Sequence, residues 1–253
     1  GVRVVQNSSE PGSFDTKFDI RGFSDPLFIV DGMEMAKRDF VRLNPNIIKD
    51  ISVLKDASAA VYGVKAANGV ILVTTQKGEI GKPVINYSGD YEIQSFTNTL
   101  TPLDAYHYAV LNTEAEINNG IPPNATTFSA EDIQAYKDGT KQSTNWYDLV
   151  TRPYSDKQRH NVSVNGGSER IQYFTSIGYT GEDGMWRSGD LNYKKYDLRA
   201  SVTGEITDNL KMSLSIDGMQ DQKNEPGAPA FLPGVIGSMY FSLFMQVPTN
   251  PVY

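Results

Sequence analysis

The residue types that usually carry catalysis are sparse in this chain of 253 residues. It has no cysteine and only two histidines, His107 and His160, which lie far apart in the sequence. No thiolate or zinc site and no Ser/His/Asp arrangement can be singled out. Asp31, Asp50 and Asp56 could suggest paired acid–base groups, but a turn or the flank of a helix or strand explains each of them. We therefore predict that the protein is not an enzyme and needs neither a metal nor a cofactor.

Phosphate and nucleic acid are poor candidates for a ligand. Residues 63–69 begin and end with glycine, as some phosphate-binding loops do, but no Gly-Lys-Ser/Thr follows and a turn explains the segment. Acidic residues outnumber basic ones by 30 to 23, which gives a formal net charge of −7. Because nucleic-acid binding needs a basic surface, the composition argues against nucleic acid as a partner.

Aromatic side chains in the long loops are better candidates for a binding site. Exposed aromatic rings can stack on sugars and hold peptides, so Trp146, Tyr147 and Trp186 are candidate substrate-binding residues. The alternative is that these rings pack a small core of the loop itself, or form the aromatic girdle of a membrane interface. That alternative is the simpler interpretation.

The first 82 residues combine short apolar runs with helix signals. Residues 26–30 form an apolar run that ends at Asp31-Gly32, which predicts a hairpin with a return strand. Asn44 can cap a short helix that starts at Pro45. Residues 70–75 are rich in β-branched side chains and predict a strand buried on both faces. This region is therefore predicted to be an α+β domain with a small mixed sheet and short helices.

From residue 83 onward, the chain alternates apolar and polar residues along several long strands. The strands are about 10 to 12 residues long, which suits a tilted crossing of a bilayer and exceeds the 5 to 6 residues of ordinary strands. Tight turns at residues 165–168 and 207–209 alternate with long connections, as in outer-membrane barrels. A soluble β-sandwich is the alternative, because half-burial against a second sheet produces the same alternation.

A set of short motifs between residues 20 and 78 carries a resemblance to a known family. The motifs are Ile20-Arg21-Gly22-Phe23, residues 26–32, Leu43-Asn44-Pro45, residues 51–60, Tyr62-Gly63, residues 66–71 and residues 74–78. In this order and spacing they closely resemble the plug of SusC/RagA-type TonB-linked receptors. The strands at 84–94 and 157–220 resemble the start of the barrel of that family.

The resemblance implies two parts. Residues 1–82 would be the TonB-dependent receptor plug domain, with its N-terminal part missing. Residues 83–253 would be the first antiparallel β-strands and extracellular loops of an incomplete transmembrane β-barrel. In the family the plug closes a barrel of about 22 strands. Five or six strands cannot close such a barrel, so the isolated chain is expected to self-associate or to need detergent.

The function implied by the resemblance is energised import of an oligosaccharide or peptide across the outer membrane of a Gram-negative bacterium. The implied partners are a SusD-like surface lipoprotein, TonB (through a segment missing here) and outer-membrane lipid. The plug loops around Ser24 and residues 36–42 would face the substrate cavity, which makes Lys37 and Arg38 further candidate substrate-binding residues. The alternative function is that of a soluble β-sandwich binding module or adhesin of the cell surface.

Overall fold

The computed structural model describes residues 2–8, 10–20, 25–55, 58–97, 99, 101–226, 242–243, 245–250 and 252. The chain forms two compact units, each built from separate segments. The first comprises Gly1–Glu92, Asp156–Gly184 and Asn192–Asn224, and the second comprises Ile93–Ser155, Met185–Leu191 and Glu225–Tyr253. The predicted boundary at residue 82 separates the α+β region from the long strands, whereas the first compact unit contains both. That boundary stays a prediction.

A mixed sheet organises the N-terminal part of the first unit. The strands of this part are β1 (Val2–Gln6), β2 (Thr16–Ile20), β3 (Leu27–Val30), β4 (Met33–Met35), β5 (Ile48–Leu54) and β6 (Val70–Thr75). β1 and β2 form an antiparallel pair, and the others form a sheet in the order β4-β3-β6-β5. β6 runs parallel to β3 and antiparallel to β5. Val70 is 0% and Val73 1% exposed, which confirms the buried strand predicted at residues 70–75.

The turn between β3 and β4 is the predicted Asp-Gly hairpin. Asp31 has φ 49° and Gly32 has φ 86°. Positive φ at both central residues matches the twist of a tight hairpin, and Asp-Gly is a favoured pair for it. The helix α1 (Lys37–Phe40) follows. Asn44 then caps a 3-10 turn, Pro45–Ile47, by accepting a hydrogen bond from the Asn46 amide at 3.0 Å, as predicted.

Apolar clusters cover both faces of the mixed sheet. One cluster contains Phe18, Ile20, Phe28, Val30, Ile71 and Val73. The other contains Ile29, Ala59, Ala66 and Val70. Successive residues of β3 enter opposite clusters because side chains alternate along a strand. The mixed sheet therefore has an apolar core of its own.

Long antiparallel strands complete the first unit. They are β7 (Gly81–Gln94), β8 (Ser155–Gly167), β9 (Ile171–Asp183), β10 (Asn192–Thr207) and β11 (Leu210–Asn224). They form a sheet in the order β11-β10-β9-β8-β7, with tight turns after Gly167 and Thr207. With 13 to 16 residues each, they are much longer than the 5 to 6 residues of ordinary strands. Within the described residues β7 and β11 are the edges, so the sheet is open and forms no closed barrel.

The two faces of this antiparallel sheet are inverted relative to a soluble protein. The exposed face carries apolar side chains, among them Ile85, Ile177, Leu198, Leu214 and Ile216, each 44% to 73% exposed. The buried face carries polar and charged side chains, among them Asn161, Ser176, Lys195, Arg199 and Ser201, each 1% to 6% exposed. A β-sandwich buries its apolar faces against each other, so this arrangement is the reverse of the predicted alternative.

The second unit is mainly helical. Its helices are α2 (Ala105–Asn118), α3 (Ala130–Lys137) and α4 (Trp146–Val150). Asp104 caps α2 by accepting a hydrogen bond from the His107 amide, and Ser129 and Asp132 form a reciprocal capping box on α3. This capping box places the start of α3 at Ala130. Among the described residues, no helix has the length and apolarity needed to cross a membrane.

Candidate functional site

A buried arginine on β10 links the antiparallel sheet to the mixed sheet. The Arg199 Nη2 atom lies 2.8 Å from Asp31 Oδ2, in the turn after β3, and also donates to Thr75 Oγ1 at the end of β6. The Arg199 Nη1 atom lies 2.7 Å from Asp217 Oδ1 on the neighbouring strand β11. The Arg199 side chain is 4% exposed. Its planar fork of donors lets one guanidinium hold two carboxylates in fixed directions.

Asp31 is held as a carboxylate by several donors. The Thr75 amide and hydroxyl donate to it at 2.9 Å and 2.5 Å, in addition to Arg199. Burial alone would raise the pKa of Asp31, but the hydrogen bonds from Thr75 and the positive charge of Arg199 outweigh burial and lower the pKa below 3.8. Asp31 is therefore ionised at neutral pH. The sequence identified it only as a turn residue.

A second polar contact lies where the 3-10 turn meets β8, β9 and β10. The Asn44 side-chain amide donates to Asn161 Oδ1 at 2.9 Å and to Asp197 Oδ2 at 2.7 Å. The Ser176 hydroxyl also donates to Asn161 Oδ1, at 2.9 Å. Gly178 makes room for this contact. A Cβ atom there would lie 2.3 Å from Asp197 Oδ2 and 2.4 Å from Asn44 Nδ2, so the contact requires glycine.

A third contact surrounds Arg42, between α1 and the 3-10 turn. Its guanidinium lies 3.2 Å from an Asp221 carboxylate oxygen and 5.1 Å from the centre of the Phe14 ring. Its backbone carbonyl accepts a hydrogen bond from Lys195 Nζ at 2.9 Å. The mixed sheet and the long strands thus meet through ion pairs and hydrogen bonds. Such groups can exchange their partners for water, whereas a packed apolar contact cannot.

A cavity of about 570 Å³ lies beside Arg199, between the β3–β4 hairpin and strands β10 and β11. Its strand wall includes the hydroxyl side chains Ser201, Thr203, Ser213 and Ser215. Its opposite wall includes Asp31, Glu34 and Lys77. Within the described residues, the buried Ser201 Oγ and Arg199 Nε atoms have no hydrogen-bond partner. The cavity therefore combines hydroxyl and charged groups with apolar side chains, and it has unused hydrogen-bonding capacity.

Trp146 and Tyr147, two of the predicted binding residues, lie on α4 in the second unit. Both are half-buried. The Trp146 indole nitrogen donates to the Val247 carbonyl at 3.1 Å, and the Tyr147 ring lies 6.0 Å from the Phe96 ring. These contacts give both rings a packing role. Substrate binding by them stays a prediction.

Trp186, the third predicted aromatic residue, is 3% exposed. It packs with Leu191, and Val150 and Leu243 pack against this pair. Its backbone forms an isolated β-bridge with Thr151. This environment is a small loop core, and substrate binding by Trp186 stays a prediction.

Lys37 and Arg38 lie on α1 in the first unit, whereas the predicted aromatic residues belong to the second. Lys37 Nζ forms an ion pair with Asp25 at 2.8 Å, and the Arg38 side chain is exposed. Their predicted contact with substrate stays a prediction. The loop around Ser24 lies outside the described residues.

Sequence reasoning missed the charged contacts of Arg199 and Asp31. The available signal was three charged residues, Lys195, Asp197 and Arg199, at alternate positions of one strand. A charged strand face of this kind is typical of a surface that faces water. In the part of the chain that the structure describes, no group of three or more His, Asp or Glu side chains could hold a metal ion.

Comparison with known proteins agrees with this geometry. Residues 1–70 match the family described as TonB-dependent Receptor Plug Domain. TonB-dependent receptor P3 of Formosa agariphila is 32% identical, over 100% of this chain and 24% of its own length. TonB-dependent receptor SusC of Bacteroides thetaiotaomicron is 27% identical, again over 100% of this chain and 24% of its own length. A chain in the structure of the RagAB peptide transporter is 27% identical in sequence to this chain. The two structures align with a TM-score of 0.72, over 88% of this chain and 28% of that chain.

This chain belongs to the TonB-dependent receptors of the SusC/RagA type. It spans about a quarter of the length of the curated relatives it matches. Within this receptor, the mixed sheet belongs to the plug, and β7 to β11 correspond to antiparallel strands that follow the plug. The predicted fold class, an α+β plug followed by strands that do not close a barrel, is confirmed for the described residues.

Proposed function

We propose that this chain is the plug and the first barrel strands of a receptor that imports an oligosaccharide or peptide across the outer membrane of a Gram-negative bacterium. The observation that carries the proposal is the inverted antiparallel sheet. Its apolar face is exposed, as contact with lipid requires, and its polar face packs against the plug. The family of the chain and its likeness to the RagAB peptide transporter support import as the function.

The plug would act as a gate rather than as a catalyst. Its contacts with the strands include ion pairs and hydrogen bonds beside a ring contact of Phe14 with Tyr193, and its apolar core consists of plug residues, so the plug can move without exposing that core. Substrate binding outside and a pull from TonB inside would shift the plug between a closed and an open arrangement. This mechanism breaks no covalent bond, and we propose no enzymatic activity.

The proposed partners are a SusD-like surface lipoprotein, TonB and outer-membrane lipid. Support for the first two comes from relatives named SusC and RagAB. Trp146, Tyr147, Lys37 and Arg38 remain candidate substrate contacts. For Trp186 we propose a supporting role, because its ring is buried in the loop core next to α4.

The test uses the intact receptor, purified from outer membranes in mild detergent and analysed by mass spectrometry for everything that accompanies it. A stoichiometric surface lipoprotein and a bound glycan or peptide are the expected result. Recovery of the receptor from the soluble fraction alone, without a partner, would contradict the proposal.

A paired substitution tests the basic candidates on α1. Once the ligand is known, Lys37→Ala together with Arg38→Ala is expected to weaken its binding. Lys49→Ala is the matched control, because Lys49 is an exposed plug lysine that pairs with Glu79 at 3.4 Å. Unchanged affinity in the double variant would remove both residues from the site.

A further inference from the structure

We propose that the cavity beside Arg199 is the route by which polar cargo passes the plug, and that Arg199 is the positioning residue that keeps this route closed. The inference rests on the proposed import function. It adds the place of passage, between the β3–β4 hairpin and strands β10 and β11, and the residue that controls it.

The walls of the cavity suit a cargo rich in hydroxyl or amide groups. Four hydroxyl side chains, those of Ser201, Thr203, Ser213 and Ser215, line the strand side. The buried Ser201 Oγ and Arg199 Nε atoms have no hydrogen-bond partner in the described part of the chain. The cavity has a volume of about 570 Å³, and sugars and peptides offer hydrogen-bonding groups that can pair with its hydroxyl and charged side chains.

Arg199 can release the plug without becoming an isolated buried charge. It bonds the plug through Asp31 and Thr75, and it bonds the barrel through Asp217 on the adjacent strand. If the hairpin and the end of β6 withdraw together, the guanidinium keeps Asp217 as its partner. This matters because removing the only partner of a buried charge is strongly unfavourable. The closed and open states then differ by one set of charge-assisted hydrogen bonds, which a ligand or a pull can overcome.

The β3–β4 hairpin carries both the plug side of the Arg199–Asp31 contact and part of the cavity wall. Asp31 lies in the turn and is tied to the end of β6, because Thr75 donates two hydrogen bonds to its carboxylate and its own amide donates to the Val73 carbonyl at 2.9 Å. The turn and the end of β6 would therefore move together. Met33 and Glu34, on the outgoing strand of the same hairpin, line the cavity. Movement of the turn away from β10 would therefore break the contact and widen the cavity together.

The experiment measures the accessibility of one position inside the cavity of the intact receptor in outer membranes. This chain has no cysteine, so Ser201→Cys introduces a thiol into a cysteine-free region, and any cysteines in the rest of the receptor are replaced first. A charged, membrane-impermeant maleimide then labels the thiol. Ser201 is 6% exposed, so labelling is expected to be slow in the closed receptor.

Breaking the plug contact is expected to open the route. Asp31→Asn removes the carboxylate that Arg199 binds. Loss of a hydrogen bond between charged groups raises the population of the open state about tenfold or more, so we expect the labelling of Ser201→Cys to be faster by that factor. Thr75→Val is a second variant that weakens the same contact from β6 and should act in the same direction. Asp25→Asn is the matched control. It removes a plug carboxylate paired with Lys37 at 2.8 Å and is expected to leave the labelling rate unchanged.

A companion position separates failure of this inference from failure of the proposed function. Val202 follows Ser201 and lies on the opposite, apolar face of β10, where it is 46% exposed. If the strands lie in lipid, Val202→Cys is not labelled by the charged reagent. Rapid labelling of Val202→Cys would overturn the membrane assignment and with it the import proposal. A second outcome would overturn only the proposed route beside Arg199. In that outcome Val202→Cys is not labelled, and Ser201→Cys is labelled at the same rate in the Asp31→Asn, Thr75→Val and parent receptors.

Discussion

At the scale of single residues, a buried arginine shared by two carboxylates joins the plug to the long strands. Arg199 and Asp31 are 168 positions apart, and the periodicity of each segment says nothing about the other. The sequence predicted the turn that contains Asp31 because Asp-Gly is a local signal. It could not predict the ion pair, because the register of the plug against the strands depends on the whole tertiary structure. A charged strand face looks the same whether water or another domain covers it.

The lowered pKa of Asp31 predicts how the stability of the plug depends on pH. Its pKa is lowered in the folded protein, so it contributes stability above 3.8, the ordinary pKa, and this contribution is lost as the pH falls through the lower folded value. We expect hydrogen exchange of the β6 amides to show constant protection from neutral to mildly acidic pH and a loss of protection in stronger acid.

Two variants identify the group responsible for this acid sensitivity. Asp31→Asn should lower the protection of β6 at neutral pH and remove the part of its acid dependence that comes from this carboxyl. Asp25→Asn should keep the acid dependence of the parent. The same acid profile in the Asp31→Asn variant and in the parent would show that Asp31 does not control it.

At the scale of elements, the close approach of the 3-10 turn to β9 depends on one glycine. Long strands and tight turns were predictable from alternation and from polar turn residues, and the structure confirms them. The cap at Asn44 was also predicted from its position before Pro45. The further role of Asn44, which binds Asn161 and Asp197, could not be predicted, because nothing in the local sequence fixes where a capped turn docks.

Gly178 tests this docking. Gly178→Ala places a Cβ atom within 2.4 Å of both Asn44 Nδ2 and Asp197 Oδ2, so these side-chain ends must shift apart. We expect the loss of their hydrogen bond to weaken the seating of the plug by about 1 to 3 kcal/mol. Hydrogen exchange of the plug amides in the intact receptor measures the effect. Gly218→Ala on β11 is the matched control, since a Cβ atom there meets nothing within 4 Å. Equal exchange in the two variants would mean that the Asn44 contact does not hold the plug.

At the scale of the whole molecule, the inverted sheet determines which environment the chain needs. The alternation alone allowed either a sandwich or a membrane barrel. The choice depends on what covers the polar face, and that information comes only from the tertiary structure. Here the plug covers charged groups such as Arg199, and the apolar groups are left outside.

A charge on the outer face provides a direct test. Leu198 is 44% exposed on β10, and Leu198→Arg is expected to destabilise insertion by about 2 to 4 kcal/mol if the site lies near the middle of the bilayer. Denaturant-dependent folding of the intact receptor into lipid vesicles gives the value. Leu111→Arg on α2, 51% exposed in the second unit, is the control and should change stability by less than about 0.5 kcal/mol. Similar effects of both substitutions would argue against lipid at Leu198.

The isolated chain should not behave as a soluble monomer. It has an apolar sheet face, and β7 and β11 are unpaired edges within the described residues. Such edges and faces promote association in water. Analytical ultracentrifugation should show large species in plain buffer and a smaller, uniform species in detergent. A monodisperse monomer that melts cooperatively in buffer would contradict this expectation.

The separate apolar core of the plug has a consequence for the biogenesis of the receptor. Phe18, Phe28 and Val73 pack against neighbours within the plug, so this part can bury its apolar side chains in water without the barrel. The long strands cannot fold in water in the same way, because their apolar face would stay exposed to it. The barrel strands would then assemble around a plug that is already folded. We therefore expect faults in the plug core to appear first as a leaky cell envelope, sensitive to antibiotics too large for porins, rather than as loss of the receptor from the membrane.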